Sequence, residues 1–284
     1  LILLFATLIA GLGFWGIKAY SAHRAWAGFL DRLEREKGLI VIGTDKKNGR
    51  YRVRGLADSL ARDPASLLTE SDRKKIRVSG HWQTFYSLDP AFVIQRANDI
   101  LSPPPGVTLS VSDQVVRATG RAPQDWIRLF MARAPAVPGI VGADGTGLES
   151  IEKQALDTAV SRLTSLRILF KNNTSQFVDG QEAVLEQLVG TVQTIAGLQQ
   201  RLNTPFSITV MGHTDSYGSE KHNLELSRKR AEVILNHLVV AGINPALLTL
   251  TGVGPRMLLK NEDTEEDRAY NRAVSFKIFY IEPR

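Results

Sequence analysis

Hydrophobic and polar positions change period several times along the chain, and each change marks an element. Residues 1–17, LILLFATLIAGLGFWGI, carry no charge, and Trp15 and Tyr20 fall where the aromatic belt of a membrane interface would lie. A spanning helix needs roughly 20 apolar residues, so residues 1–20 are predicted to form a transmembrane helix. Because the chain begins at Leu rather than Met, this helix reads as the end of a longer segment. A cleavable signal peptide fits less well, since no A-x-A exit follows. Nothing ionisable lies within residues 1–17, which argues against proton conduction through this segment.

Trp26, Phe29, Leu30 and Leu33 then recur at helical spacing, with Gly38 as a stop. Two alternating runs around Asn48-Gly49 predict a hairpin. Residues 89–145 repeat the scheme. A helix opens at Asp89-Pro90, a second hairpin-like pair ends in R-A-T-G-R-A where the first ended in R-V-R-G-L-A, and a helix around Trp126 and Phe130 precedes a short strand. This looks like a duplication. Asp72-Arg73-Lys74-Lys75, with Trp82, Phe85 and Tyr86, could form a head-group site, though such a run is more often a solvated face beside a half-buried strand. Residues 139–147 read as a Gly-rich linker and 148–163 as a polar amphipathic helix.

Beyond residue 164 strands and helices alternate. Residues 166–170, 206–211, 248–253 and 274–281 predict strands, while Leu185, Leu188, Val192 and Ile195 mark a long helix. The predicted fold class is α+β / α/β, ending in an α/β sandwich with helices packed on a mixed sheet. With 43% hydrophobic and 23% charged residues the chain is globular rather than disordered. The absence of cysteine removes disulfides, thiol nucleophiles, Cys-based zinc sites and a lipid-accepting cysteine together. A net charge of +6 invites a nucleic-acid reading. The cations are scattered and no nucleic-acid motif accompanies them, so anionic wall or phospholipid head groups are the expected partners.

The stretch with the most chemistry is residues 208–230, ITVMGHTDSYGSEKHNLELSRKR: a β-branched run, a Gly-His-Thr-Asp turn and a helix. Asp215 and Arg230 lie fifteen positions apart, and the strand, loop and helix between them can bring both to one rim. A carboxylate and a guanidinium held apart suit a zwitterion, one taking an ammonium and the other forking onto a carboxylate. Asn223 and Arg230 share a helix face after two turns, with Leu224, Ala231, Ile234, Leu235 and Leu238 as a separate apolar stripe. For an arbitrary Asp and Arg, a surface ion pair is the more common outcome.

The segment from Gly212 to Leu238, followed by G-I-N-P-A-L-L-T-L-T-G-V-G and T-E-E-D-R-A-Y-N-R-A-V-S-F, resembles the OmpA-like C-terminal domain over about a hundred residues. That family is shared with peptidoglycan-associated lipoproteins and flagellar stator anchors. The resemblance implies a fold over residues 164–284 that binds the diaminopimelate of the cell wall without cleaving it. By motif position Asp215 would take the ligand's ammonium and Arg230 its carboxylate, Thr214 and Asn223 would line the pocket, and Arg268 and Arg272 match the R-x-x-N-R signature. Two positions depart from the family: Ala273 stands for a second Arg, and Leu169-Phe170-Lys171-Asn172 replaces an acidic opening strand. Residues 89–145, with V-T-L-x-V-x-D-x-V-V-x-x-x-G and V-P-G-I-V, are similar to the BON domain, an α–β–β–α–β envelope module, and residues 24–88 are similar to it more faintly. Residues 146–163 would be a linker helix.

Enzyme readings fall away. His213, Glu220 and His222 fit no metal motif, Gly252-Val253-Gly254 lacks the rest of a dinucleotide fingerprint, and no Ser sits in a nucleophile elbow. The sequence therefore predicts a non-enzymatic chain without cofactor or metal. It would be held in the inner membrane with its bulk periplasmic, tethering membrane to peptidoglycan as a homo-oligomer or a subunit of a membrane complex. Lys18, His23 and Arg24 after the span favour the opposite orientation; the wall ligand, which exists only outside the inner membrane, overrides them. The alternatives are a wall-anchoring subunit of a stator-like or other machine, and an envelope channel or lipid-binding protein. Against a channel, the sequence shows no long series of alternating membrane strands.

Overall fold

The computed structural model describes the backbone of residues 2–281 and the side chains of residues 15–281. Helix α1 (Ile2–Arg35) opens the chain. The transmembrane helix expected over residues 1–20 rests mainly on side chains outside the described residues. Among the described residues, no helix is long and apolar enough to cross a membrane. Trp15, Ile17 and Tyr20 are exposed on α1, whereas Trp26, Phe29 and Leu33 are buried.

The chain divides into two compact units, residues 1–120 with 128–148 and residues 121–127 with 149–284. In the first, β1 (Leu39–Lys47) and β2 (Arg50–Asp58) form an antiparallel hairpin. Its turn places Asn48 at φ 51° and Gly49 at φ 73°, both left-handed as a tight hairpin turn demands. After α2 (Glu70–Lys75), β3 (Val78–Phe85) joins β2 in parallel, giving the order β1-β2-β3. Helix α1 covers one face of this sheet through Trp26, Phe29 and Leu33, with Trp26 stacked on Tyr51 at 4.6 Å between ring centroids.

The second repeat comprises α3 (Pro90–Leu101), β4 (Val107–Ser112), β5 (Val115–Ala122), α4 (Gln124–Arg133) and β6 (Gly142–Ser150), with sheet order β4-β5-β6. The element order α–β–β–α–β therefore occurs twice. A buried ion pair joins the repeats. Arg96 Nη2 of α3 donates to Asp58 Oδ2 at 3.1 Å and also to the Ser87 carbonyl, while its Nη1 donates to Pro138 O. Asp58 accepts in addition from the amides of Leu60 at 3.0 Å and Ser87 at 2.6 Å.

Three expectations shift in this region. Residues 139–147 are not a linker, for Gly142, Gly145 and Gly147 lie in β6. A Cβ on Gly145 would come 3.1 Å from Met131 Sδ and one on Gly147 2.7 Å from Thr119 Cγ2, so these glycines permit close strand packing rather than flexibility. The helix that follows consequently begins later, as α5 (Ile151–Ser165), with Ser150 Oγ accepting from Lys153 N at 3.2 Å. Asp72 belongs to no head-group patch: it is buried, forms a capping box with Thr69 and pairs with Arg32.

In the second unit α5 leads to β7 (Ile168–Leu169), α6 (Glu182–Leu202), β8 (Phe206–His213), α7 (Glu220–Val240), β9 (Leu248–Gly254), α8 (Glu265–Asn271) and β10 (Ala273–Tyr280). The sheet order is β7-β10-β8-β9, with β10 antiparallel to β7 and β8, and β8 parallel to β9. The carboxyl ends of β7 and β8 and the amino end of β10 therefore lie at one edge. Alternate residues of β8, Phe206, Ile208 and Val210, join Val274 and Phe276 of β10 in a core covered by Leu163 of α5, Leu188 and Val192 of α6, and Ile234 and Leu238 of α7. The opening strand is shorter than expected, and Phe170 only bridges to Phe177 across the 171–176 loop. Leu224 leaves the expected apolar stripe and is 37% exposed.

Helix α7 lies directly on the strands. A Cβ on Gly212 would stand 1.8 Å from the Ser227 carbonyl oxygen, and one on Gly252 2.6 Å from the Arg228 amide nitrogen. Only glycine allows backbone to approach backbone so closely.

Candidate functional site

At the shared edge the 171–176 loop after β7, residues 214–218 after β8, and Arg272 before β10 meet the first half of α7. They enclose a cleft of about 440 Å³. The topology explains why positions near 172, 215 and 272 converge although far apart in sequence.

Arg230 reaches the cleft from α7 and is fully buried. Its Nε donates to Thr174 O at 2.9 Å, Nη1 to His213 O at 2.9 Å and Nη2 to Lys171 O at 3.1 Å. No carboxylate is among these partners. Burial draws its pKa down to about 10, with Asp215 opposing and Arg272 adding to the fall, so the group stays charged at neutral pH. A guanidinium carries five N–H donors, and here it fastens the 171–176 loop while keeping donors free.

Asp215 is buried, and its Oδ2 accepts from Arg272 Nη1 at 2.9 Å. The other arm of Arg272 donates to Glu265 Oε1 at 3.0 Å. Asn223 Nδ2 donates to the carbonyls of Asp215 at 3.4 Å and Tyr217 at 3.0 Å, fixing the turn that aims the carboxylate. Glu262 braces the same turn, accepting from Ser216 N at 3.0 Å and from Asn271 Nδ2 at 3.0 Å. Among the described residues, Thr214 Oγ1 at the cleft wall is buried without a hydrogen-bond partner, as is Arg272 Nε. Buried polar atoms are nearly always paired, so an orphan hydroxyl here points to something that enters the cleft.

His213 lies beneath the floor. Its Nδ1–H donates to Met257 O at 2.9 Å, leaving Nε2 to accept from the Ser275 hydroxyl at 2.8 Å. Burial pushes its pKa below the usual 6.5, Arg167 adds to the fall, and the Met257 hydrogen bond opposes it without prevailing.

Of the residues singled out in the sequence, Asp215, Arg230, Asn223, Thr214 and Arg272 all line the cleft. Arg268 does not: it projects from α8 and pairs with Glu265 at 2.7 Å. The cation bonded to Asp215 is Arg272 rather than Arg230, because Arg272 sits at the head of β10 directly across the sheet edge. Asn172, Asn173, Tyr217 and His222 were not singled out as cleft residues, yet they line it together with Gly218 and Leu226. Asn172 and His222 did stand at noticed positions, one as a departure from an acidic strand and the other as a metal candidate. His222 Nε2 instead meets Asn173 Oδ1 at 2.7 Å, and Glu220 pairs with Arg256. Among the described residues no group of three potential ligands could hold a metal.

The lining offers two guanidiniums, one carboxylate and a hydroxyl without a hydrogen-bond partner among the described residues. Such a set is chemically suited to holding a small charged ligand. Residues 169–272 match the OmpA family. The chain is 24% identical over 205 residues to the peptidoglycan-binding protein ArfA of Mycobacterium tuberculosis, covering 68% of this chain and 59% of that protein. It thus spans less than two thirds of that relative's length. It is 29% identical over 153 residues to outer membrane protein A of Bordetella avium, covering 54% of this chain and 74% of the relative. Among solved structures, the peptidoglycan-associated lipoprotein from Burkholderia pseudomallei aligns with 40% of this chain and 91% of its own, at 22% identity and a TM-score of 0.35. The C-terminal domain of Helicobacter pylori MotB aligns with 41% of this chain and 84% of its own, at 23% identity and a TM-score of 0.33.

Proposed function

We propose that the cleft holds the zwitterionic end of diaminopimelate in peptidoglycan and that the chain tethers a membrane to the cell wall. The observation that carries this reading is Arg230: a charged guanidinium, wholly buried, bonded only to neutral carbonyls and facing a cleft. A ligand carboxylate would supply the missing counter-charge, and Thr214 Oγ1 would donate to it or accept from an ammonium. Asp215, although bonded to Arg272, has further lone pairs for the ligand's ammonium. Asn223 and Arg272 act by holding Asp215 in place, and Arg268 supports the clasp around Glu265. The OmpA-family match and the peptidoglycan-binding name of the relative support the same reading.

The apolar start of the chain would place it in the inner membrane with its bulk in the periplasm, and the two α–β–β–α–β repeats would be BON-like spacers. The relative's 205-residue alignment is much longer than the family match, and only twelve residues follow Arg272, so most of the excess lies in the N-terminal half. Co-sedimentation of the full chain with diaminopimelate-type sacculi tests the reading. Asp215→Asn keeps the shape of the side chain and is expected to weaken binding by about 2–4 kcal/mol, the range for breaking a desolvated charge pair. Undiminished pelleting of a folded Asp215→Asn chain would overturn the assignment.

A further inference from the structure

The four-stranded sheet of the second unit ends differently on its two sides. At the β7 end the chain folds back over the strand: Leu169 N donates to Gln181 Oε1 at 2.9 Å and Leu169 O accepts from Val178 N at 3.1 Å, so that edge is closed. At the other end, among the described residues, β9 pairs with β8 alone. Its seven residues, LTLTGVG, include neither a charge nor a proline, the devices by which sheet edges usually refuse another strand.

Helix α7 gives this open edge a wall with a definite order of charge. A groove of about 350 Å³ runs between them, lined by Leu224, Glu225 and Arg228 of α7 and by Leu250, Thr251 and Gly252 of β9. Leu224, absent from the core stripe, stands exposed here beside the half-buried Leu250. Glu225 and Arg228 are exposed, three positions apart on one helix, and form no ion pair or side-chain hydrogen bond among the described residues. The close approaches of Gly252 to Arg228 and of Gly254 to Leu224 fix the levels and show that β9 runs opposite to α7. Glu225 and Arg228 therefore stand alongside residues 252–254.

We infer that a second copy of this chain pairs with the β9 edge, antiparallel, about a two-fold axis that passes close to Gly252 and Val253. A two-fold normal to the sheet keeps both α7 helices on the same side and reverses their direction. Glu225 of each copy then faces Arg228 of the other, while Leu224 and Leu250 of both copies close over the join. An acid and a base in that order are self-complementary, as a two-fold interface requires of its own surface. The two four-stranded sheets become one of eight strands. Because the two β8 strands then run in opposite directions, the clefts open toward opposite ends of the joined sheet. On the reading of the cleft proposed above, one assembly holds two separate stems of the wall and gains avidity from both.

The chain has no cysteine, so single introduced thiols report the join directly. In the full chain held in neutral detergent, Thr251→Cys is expected to give a covalent dimer with a short bifunctional thiol reagent. Thr209→Cys, one strand inward on the same face of the sheet, is expected to give none. Arg228→Glu and Glu225→Arg each set like charges against one another across the join and should weaken dimerisation by about tenfold or more in sedimentation equilibrium, and the double variant Glu225→Arg/Arg228→Glu should restore it. A wild-type chain that stays monomeric would overturn the proposal. So would a dimer that neither links through Thr251→Cys nor responds to the charge swap, or one that links equally through both thiols. None of these substitutions touches the cleft, so pelleting with sacculi reads the wall assignment separately: chains that dimerise as expected but never pellet would overturn that assignment and leave the pairing standing.

Discussion

Two buried arginines, one in each unit, are treated by the fold in opposite ways. Arg96 lies between the repeats with its charge answered by Asp58, a carboxylate whose side chain has no exposed surface, and the pair is surrounded by further hydrogen bonds. Arg230 is at least as deeply buried and receives only carbonyl oxygens, while the nearby carboxylate is bonded to a different cation. The first arrangement is complete and gives architecture. The second is left short of one negative charge beside a cleft and an unpaired hydroxyl, which is how a protein keeps binding energy for a ligand instead of spending it on its own stability.

Stability and binding should separate accordingly. Arg96→Met strands the Asp58 carboxylate without its cation and is expected to cost about 3–5 kcal/mol in urea unfolding of the first unit, with sacculus binding per folded molecule unchanged. Arg230→Met removes an uncompensated charge and three hydrogen bonds to neutral acceptors. Its stability cost should be lower, about 1–3 kcal/mol, while wall binding falls by about 2–4 kcal/mol. Equal destabilisation by the two variants, with binding intact in both, would erase the distinction.

A smaller effect comes from the floor of the cleft. The buried His213 ring is held neutral with its pKa below 6.5, so at lower pH the unfolded chain takes up a proton that the folded chain resists. Its contribution to stability is therefore present above about pH 6.5 and is lost as the pH falls from there through the folded value. Melting curves of the full chain between neutral and mildly acidic pH should show this decline, and His213→Gln should flatten it. The smallest effect is expected at Thr214. Thr214→Val removes a hydroxyl that has no protein partner, so unfolding should move by less than about 0.5 kcal/mol, whereas sacculus affinity should drop by about 1 kcal/mol, the worth of one hydrogen bond.

Much of this was legible in the sequence, for identifiable reasons. Asn48-Gly49 specifies its own turn, Trp26, Phe29 and Leu33 mark a single helix face, and the span from Asp215 to Arg230 is a continuous strand, loop and helix whose reach can be estimated from local geometry. What escaped depended on the sheet order. That Arg272 rather than Arg230 bonds Asp215 follows from β10 inserting between β7 and β8, a non-local choice that no periodicity records. Gly142, Gly145 and Gly147 read as a linker because a glycine that admits a neighbouring strand looks the same in sequence as one that loosens a chain. Tyr217 was passed over since its type fits an ordinary polar loop, His222 was weighed only as a metal ligand, and the folded cleft is what brings them together.

The seating of α7 on Gly212 and Gly252 has a practical consequence for anyone wishing to retarget the domain. The gap between the turn at Asp215 and the helix at Arg230 is cut to size by main chain, so no choice of side chain at those glycines could widen it without dislodging the helix. Asn172, Asn173, Tyr217 and His222, by contrast, hang from the rim and carry none of that spacing. A library confined to these four positions would vary what the cleft recognises while every member inherits the same aperture.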